Sequence, residues 1–168
     1  MIESKYLKDS IQNIKQLVAI PALRKFETKN LGKMLRLSKI RQYEDGEIII
    51  KEGGTDPWFY FLLSGSVRIV KNGVTIAIIS KMGEIFGEMR ILDQLSRSAS
   101  VYSEGETICL GVNTAATERL PSDDETANFL LLLYKVFAEY ISIRLRSTNE
   151  GLINTKKQTD VPAEKIKS

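Results

Sequence analysis

One stretch of the chain carries residues suited to binding a phosphate and a sugar. Gly87 permits a sharp turn and a close backbone approach, because it has no Cβ. A short helix over Glu88–Leu92 would direct free N–H groups at the same space, which favours an anion. Arg97 adds a permanent planar cation that can bind phosphate oxygens through two parallel hydrogen bonds. Ionised Glu88 can only accept hydrogen bonds, so it needs a donor such as a ribose 2′-hydroxyl.

Two small residues follow the arginine. Ser98 and Ala99 leave room for their backbone N–H groups to reach the same phosphate, and Ser98 adds a hydroxyl donor. An ordinary alternative stays open, in which Gly87 makes a turn and Glu88 pairs with Arg97 in a surface salt bridge. These residues by themselves favour that alternative, so the elements around them must decide.

A series of short strands must position these residues. The clearest turn is Asn72-Gly73, which predicts a two-residue hairpin between Val67–Val70 and Val74–Ile79. Glycine turns separate the other strands, predicted at Glu47–Ile50, Trp58–Leu63, Ala99–Tyr102 and Thr107–Val112. Short strands at this spacing are typical of a β-sandwich, a jelly roll or a barrel.

Helical periodicity flanks the strands on both sides. From Ile2 to about Leu31 the apolar residues recur at helical spacing (Leu7, Ile11, Ile14, Leu17 and Val18), and a short helix is predicted around Leu31–Leu37. After Asn113, a capping box at Ser122–Glu125 precedes a wide apolar face formed by Phe129, Leu133, Val136, Phe137, Tyr140 and Ile141. Gly151 either ends this helix or lies within a longer one. We expect helices in 1–36, a β-domain in 37–113, helices in 114–158 and a disordered polar tail in 159–168.

Composition excludes several classes of function. The chain has 168 residues, a net charge of +3 and no histidine, so a histidine-rich metal site and a Ser–His or Cys–His nucleophile pair are not expected. The single cysteine, Cys109, lies in an apolar run and is interpreted as a small core residue in a reducing compartment. No apolar signal core and no membrane-length apolar run is visible, which predicts a cytoplasmic protein without a membrane partner. Basic residues are scattered rather than striped, so direct DNA binding is not expected.

Three other features have a functional and a plain interpretation. Trp58–Phe61 could stack on nucleic-acid bases, but its place within a strand favours a buried core. The run Leu130–Leu133 could bind a partner, although burial against the strands is the commoner outcome. If the last helix continues past Gly151, the weak pattern of Ile141, Leu145, Thr148 and Leu152 suits a two-stranded contact between protomers.

Several motifs together resemble the cyclic nucleotide-binding domain family, which includes bacterial catabolite regulators, regulatory subunits of protein kinases and cyclic-nucleotide-gated channels. Gly46–Ile49 matches the family's early glycine–glutamate turn. Gly83–Glu88 followed by Arg97–Val101 matches its phosphate-binding cassette. The second and third strands match at Gly53, Asp56, Phe59 or Tyr60, Leu63, Gly65 and Val67.

The resemblance implies an α+β fold, an eight-stranded antiparallel β-roll or jelly-roll-like barrel flanked by N-terminal and C-terminal helices. It assigns the phosphate to Arg97, the ribose 2′-hydroxyl to Glu88, and a cradle of backbone N–H groups to Gly87, Met89 and Ala99. The complete implied ligand-binding set is Phe86, Gly87, Glu88, Met89, Arg97, Ser98 and Ala99. A C-terminal helix would close over the base. The chain departs from the family at Ser96, where proline is frequent, and at Arg90, where a small residue is common. We expect the Arg90 side chain to point to solvent. The alternatives are that it adds a second cation near the phosphate or that it crowds the pocket.

The leading hypothesis is a non-catalytic receptor for cAMP, with cGMP as an alternative ligand and no catalytic cofactor. It would signal by moving the C-terminal helix toward a protein effector or a second copy of the chain. A degenerate interaction module that binds no nucleotide is the second hypothesis. An enzyme on a cupin-like barrel is the third, disfavoured because no histidine and no nucleophile–base pair is visible.

Overall fold

The chain folds into an antiparallel sheet with helices packed against it. The computed structural model describes residues 1–8, 15, 17–20, 23–24, 26–116, 119–120 and 122–159. Within them the elements follow in the order β1 (Ile2–Glu3), α1 (Thr28–Arg36), β2 (Ser38–Tyr43), β3 (Ile48–Ile50), β4 (Trp58–Lys71), β5 (Val74–Ile79), β6 (Ile85–Phe86), α2 (Met89–Asp93), β7 (Ser100–Asn113) and α3 (Asp123–Thr159).

Two long strands form the centre of the sheet. β4 and β7 pair antiparallel along most of their length, from Trp58 opposite Asn113 to Val70 opposite Ser100. The strand order is β1-β2-β7-β4-β5, with β3 also paired to β7 and β6 to β4. The predicted β-roll with flanking helices is confirmed, but the sheet stays open rather than closing into a barrel, and the described residues contain seven strands instead of eight.

The hairpin predicted at Asn72-Gly73 is confirmed. Both residues have positive φ, 49° and 78°, as a two-residue turn of this kind requires. The predicted breaks between Leu63 and Val67 and between Tyr102 and Thr107 are wrong, because β4 and β7 each continue through them as one strand. The register between β4 and β7 shifts around Ser64, so Gly65 lies at a bulge inside one strand rather than in a turn between two.

The sheet separates two cores, and β4 contributes to both. Phe59 and Phe61 face the helical side, whereas Tyr60 and Leu62 face the inside of the roll. Period-two alternation with both faces buried explains the unbroken apolar run of this strand. All four side chains are buried and Trp58 is half-buried, so the structure supports the interpretation of Trp58–Phe61 as part of a core or half-buried strand.

The N-terminus differs from the predicted helix. Ile2 and Glu3 form β1 on the edge of β2, where the Glu3 carboxylate bonds to the side chains of Lys39 and Arg41 at 2.6 Å each. Pairing with a distant strand outweighs the local helical period here. Ile11 and Ile14 lie outside the described residues, while the predicted short helix is confirmed as α1, which begins at Thr28.

The C-terminal helix is a single element of 37 residues. The Ser122 hydroxyl accepts the Glu125 N–H at 3.3 Å, which is one half of the predicted capping box, while the Glu125 carboxylate pairs with Lys29 and Lys33 of α1. Phe129, Leu133 and Phe137 are buried, and Phe137 meets Phe59 edge-on with ring centroids 4.7 Å apart. Leu131, by contrast, is exposed, so only one face of the Leu130–Leu133 run packs on the domain.

The distal part of α3 has no contact that buries it. Gly151 lies within the helix, and every residue from Leu145 to Thr159 is exposed. Residues 160–168, predicted to be disordered, lie outside the described part. By length and composition alone α3 could cross a membrane, a test that the core helix of a soluble protein also passes; 17% of its apolar window is buried, and Phe137 packs on Phe59 of the sheet.

Candidate functional site

All seven predicted site residues line one cavity of about 140 Å³. It lies between the inner face of the roll and α3. Its apolar wall comes from β3, β4, β5 and β7, and its polar wall from α2, the segment around Arg97, and α3. The full lining is Ile50, Ile69, Ile76, Ala77, Phe86, Gly87, Glu88, Met89, Arg90, Arg97, Ser98, Ala99, Val101 and Arg144.

Arg97 is held rigidly beneath the cavity. Its backbone exchanges hydrogen bonds of 2.8 Å with Gly53 and Gly54, and only 3% of the residue is exposed. Its Nε and Nη2 donate to the two carboxylate oxygens of Asp56 at 3.2 and 2.6 Å. Nη1 donates to the Gly87 carbonyl at 2.6 Å and Nη2 also donates to the Trp58 carbonyl. Four of the five guanidinium N–H groups are thus engaged within the protein, which leaves one Nη1–H for a ligand.

Gly87 makes the turn that brings the cassette against Arg97. Its φ is +80°, in the left-handed region that favours glycine. A Cβ at this position would lie 2.8 Å from Cδ1 of Ile50 and 3.1 Å from Nη1 of Arg97. The close approach predicted from the sequence is therefore present, and it places the Gly87 carbonyl on the guanidinium.

Glu88 is a buried carboxylate whose partner lies on the C-terminal helix. Only 2% of the residue is exposed, and Oε1 lies 3.4 Å from Nη1 of Arg144. Burial raises the pKa of the Glu88 carboxyl, and the charges of Arg144 and Arg97 oppose that rise only in part. The predicted alternative of a Glu88–Arg97 salt bridge is wrong: Glu88 pairs with Arg144, and Arg97 pairs with Asp56.

Arg90 lies along the cavity and not in open solvent. It is half-buried, and its Nη2 donates to the Thr55 carbonyl at 3.4 Å. The Nε atom is buried and has no hydrogen-bond partner among the residues that the structure describes. The expectation of a solvent-directed side chain is therefore wrong, because the short helix α2 turns this position toward the loop before β4.

The remaining predicted residues form the rim and the floor. Phe86 is buried and stacks on Tyr60 at 5.2 Å between ring centroids. Met89 and Ser98 are exposed at the mouth, and Ala99 is half-buried between them and the roll. These rim side chains are small or apolar. Polar contacts with a ligand must therefore come mainly from the backbone, Glu88 and the arginines.

Two residues have roles that the sequence did not predict. Asp56 was predicted only as part of a strand motif and Arg144 was not a candidate site residue, yet Asp56 fixes Arg97 and Arg144 pairs with Glu88. Nothing in local spacing signals either pairing, since the partners lie 41 and 56 positions apart. The only local indications are that Asp56 is a polar residue just before an apolar strand and that Arg144 is a cation on a largely apolar helix.

Other candidate chemistry takes no part in this cavity. Cys109 is fully buried, and burial raises the pKa of its thiol to about 12, which suits a core residue and not a nucleophile. Within the described ranges no cluster of histidine, cysteine, aspartate or glutamate could hold a metal ion.

Comparison with known proteins gives a consistent result. The family model for the cyclic nucleotide-binding domain matches residues 40–124, about half of the chain. A cAMP-dependent protein kinase type II regulatory subunit from Drosophila melanogaster is 35% identical over 106 residues, which are 60% of this chain and 27% of that protein. The chain spans about a quarter of the length of the curated relatives it matches.

Solved structures agree with the family model. A cyclic nucleotide-binding domain from Methylobacillus flagellatus has a TM-score of 0.72 at 18% identity, with 86% of this chain and 84% of that one covered, which shows the shared fold. A cAMP-bound PfPKA-R fragment has a TM-score of 0.56 at 25% identity over 76% of this chain and 47% of that one. With the cassette, the open β-roll and the C-terminal helix in place, the chain belongs to the cyclic nucleotide-binding domain family.

Proposed function

We propose that the chain is a receptor module for a cyclic nucleotide, cAMP before cGMP, that signals through movement of α3. The observation that carries the proposal is the Glu88–Arg144 pair, because it links the predicted sugar-binding carboxylate directly to the C-terminal helix. The preference for cAMP rests on relatives and structures named for cAMP.

The chemistry of the cavity suits a sugar phosphate. The cyclic phosphate carries one negative charge, which meets guanidinium groups and the backbone N–H groups of the cassette. The ribose 2′-hydroxyl donates to Glu88, which as a carboxylate can only accept. The apolar wall formed by Ile50, Ile69 and Val101 receives the rest of the sugar and base by excluding water.

Ligand entry must disturb α3. The cavity volume of about 140 Å³ is below the roughly 300 Å³ at which small-molecule pockets begin. Arg144 both lines this space and contacts Glu88, so a ribose hydroxyl competes with its guanidinium for the same carboxylate. A ligand that binds better once Arg144 has withdrawn shifts the population of α3 positions, which is the coupling that a receptor needs.

The output surface is the exposed distal part of α3. Leu145 and Leu152 are more than half exposed, and an isolated helical segment of this length is marginal in water. A protein effector or a second copy of the chain would cover these side chains. Light scattering with and without cAMP measures whether the second copy is the partner. The expected compartment is the cytoplasm, which cell fractionation tests.

Calorimetry with cAMP and cGMP tests the proposal, with hydrogen exchange of α3 as the structural readout. Arg144→Ala removes a half-exposed ion pair, so cAMP affinity should rise by up to about five-fold, the equivalent of about 1 kcal/mol. Arg146→Ala is the matched control, since Arg146 is exposed on the same helix and does not line the cavity. Absence of binding of both nucleotides at high micromolar concentration, or binding without a change in α3 exchange, contradicts the proposal.

The second candidate is an interaction module whose pocket no longer admits a nucleotide. Two observations favour it: the small cavity, and the Arg90 side chain along its wall. It predicts that Arg90→Ala creates nucleotide binding that the natural chain lacks.

A further inference from the structure

Two arginines line the cavity, but they differ in what they can offer an anion. Arg97 has one guanidinium N–H left, because Asp56, Gly87 and Trp58 accept the other four. A bidentate grip on phosphate requires two parallel N–H groups. In this arrangement Arg97 alone therefore cannot provide one.

Arg90 retains the donors that Arg97 lacks. Its one protein hydrogen bond in the described part of the chain is the long contact to the Thr55 carbonyl at 3.4 Å. Its Nε–H is buried without a partner. Three of its four Nη N–H groups have no protein partner in the described part of the chain, and two of them suffice to bind a planar pair of phosphate oxygens.

The two guanidinium groups both bond to the loop that precedes β4. Arg90 Nη2 contacts the carbonyl of Thr55, and Arg97 Nη2 contacts the carbonyl of the next residue, Asp56, at 3.2 Å. One short backbone segment therefore anchors both, and both line the same space. Both arginines therefore bring positive charge to that space.

The charges around the cavity also point to Arg90. Arg97 is balanced by Asp56, and Glu88 lies beside Arg144. Among the described residues no carboxylate pairs with Arg90. Arg90 therefore brings to the cavity a positive charge that no carboxylate balances and that an anionic ligand can neutralise.

We infer that Arg90 is a second phosphate-binding residue of this site, which supplies a bidentate guanidinium grip and the uncompensated positive charge, while Arg97 contributes its one remaining N–H. The inference rests on the proposed nucleotide site and adds to it a residue that determines which ligands bind. The site then selects for an anionic phosphate more strongly than for the nucleoside attached to it.

Calorimetric titration of the natural chain, Arg90→Ala, Arg90→Lys and the control Arg146→Ala tests this inference. Arg90→Ala should weaken cAMP binding by about ten-fold or more, as expected for loss of charge-assisted hydrogen bonds. Arg90→Lys should lie between, because it keeps the charge and loses the fork. Adenosine, which has no phosphate, should bind all four proteins equally, a result that a merely structural effect of Arg90 would not give.

Failure of this inference is distinguishable from failure of the proposed function. If the natural chain binds cAMP or cGMP and Arg90→Ala binds as tightly or more tightly, the inference is overturned and the receptor function stands. If only Arg90→Ala binds nucleotide, Arg90 blocks the pocket and the inference is overturned. If no variant binds nucleotide, the receptor function fails, and a titration with pyrophosphate followed by NMR decides whether Arg90 binds anions. Pyrophosphate binding that is lost in Arg90→Ala supports the inference. Equal behaviour of the natural chain and Arg90→Ala overturns the inference.

Discussion

Replacement of Arg97 by alanine is expected to destabilise the protein itself, before any ligand is considered. The guanidinium is almost fully buried and bonds to Asp56 and to the carbonyls of Gly87 and Trp58. Alanine leaves those two carbonyls without their donor beneath the cassette. Arg97 thus acts as a structural residue, because it joins the loop before β4 to the turn before α2.

The magnitude follows from these contacts. The Asp56 side chain is 43% exposed, so that ion pair contributes at most about 1 kcal/mol. Each buried carbonyl left without its partner costs about 1–3 kcal/mol, less where water can enter from the cavity. The sum is about 3 kcal/mol of unfolding free energy, or roughly 6–12 °C in Tm for a chain of this size.

Arg90→Ala provides the matched comparison within the same cavity. Arg90 has one long hydrogen bond and a buried unpartnered Nε, so its removal should change stability by no more than about 0.5 kcal/mol. Urea unfolding of the natural chain and both variants, without ligand, measures the difference. Equal stability of Arg97→Ala and the natural chain would refute the structural assignment of Arg97, and a large loss in Arg90→Ala would refute the contrast.

The same stability measurement shows which variants are folded well enough for their ligand affinities to be compared. A variant that loses about 3 kcal/mol can lose ligand binding because its cassette is disordered. Affinities of Arg97 variants are therefore informative only where the unliganded fold is retained, whereas those of Arg90 variants can be compared directly.

Two further predictions concern Glu88 and the helix contact. Glu88→Gln should stabilise the unliganded protein at neutral pH, because burial raises the folded-state pKa of the Glu88 carboxyl. The natural chain therefore gains stability from this group below the unfolded pKa of about 4.5. It loses that stability as the pH rises through the folded-state pKa. The stability difference between the two proteins should grow with pH above about 4.5 and then level off in urea melts; a constant difference from pH 4 to 8 would contradict it. Phe137→Ala removes a fully buried ring that packs edge-on against Phe59 and should cost about 3–5 kcal/mol. Ile143→Ala is the control, because Ile143 is exposed on the same helix. Calorimetric melting measures both variants. A similarly small loss of stability in the two would mean that α3 does not pack on the sheet as described.

Local sequence chemistry predicted the parts of the fold that depend on neighbours in the chain. Asn72-Gly73 specifies a hairpin because both residues tolerate positive φ. Ser122 specifies a helix start because its hydroxyl reaches a backbone N–H in the same turn. The ligand set around Gly87 was predicted from the resemblance to the family's cassette, whose residues are nearly contiguous in the chain.

Predictions failed where pairing with distant segments decides the outcome. Ile2 follows a helical period but joins β2, because Glu3 finds Lys39 and Arg41 there. Gly65 has the character of a turn residue but lies inside β4, because β7 continues the ladder past it with a shift in register. In both cases a contact made across the sheet outweighs a preference of a few tenths of a kcal/mol to about 1 kcal/mol in the local backbone.

By itself the sequence predicted a β-domain from its turns and strand alternation, and the resemblance of its contiguous motifs predicted the family, the antiparallel roll and seven of the residues that line the cavity. Only the tertiary structure decided how the charges are distributed. Arg97 pairs with Asp56, Glu88 meets Arg144, and Arg90 lies in the cavity beside Thr55. The physical reason is that a side chain's charge and hydrogen-bonding capacity are local properties, whereas its partner is set by which segments the folded sheet and α3 bring within a few ångströms.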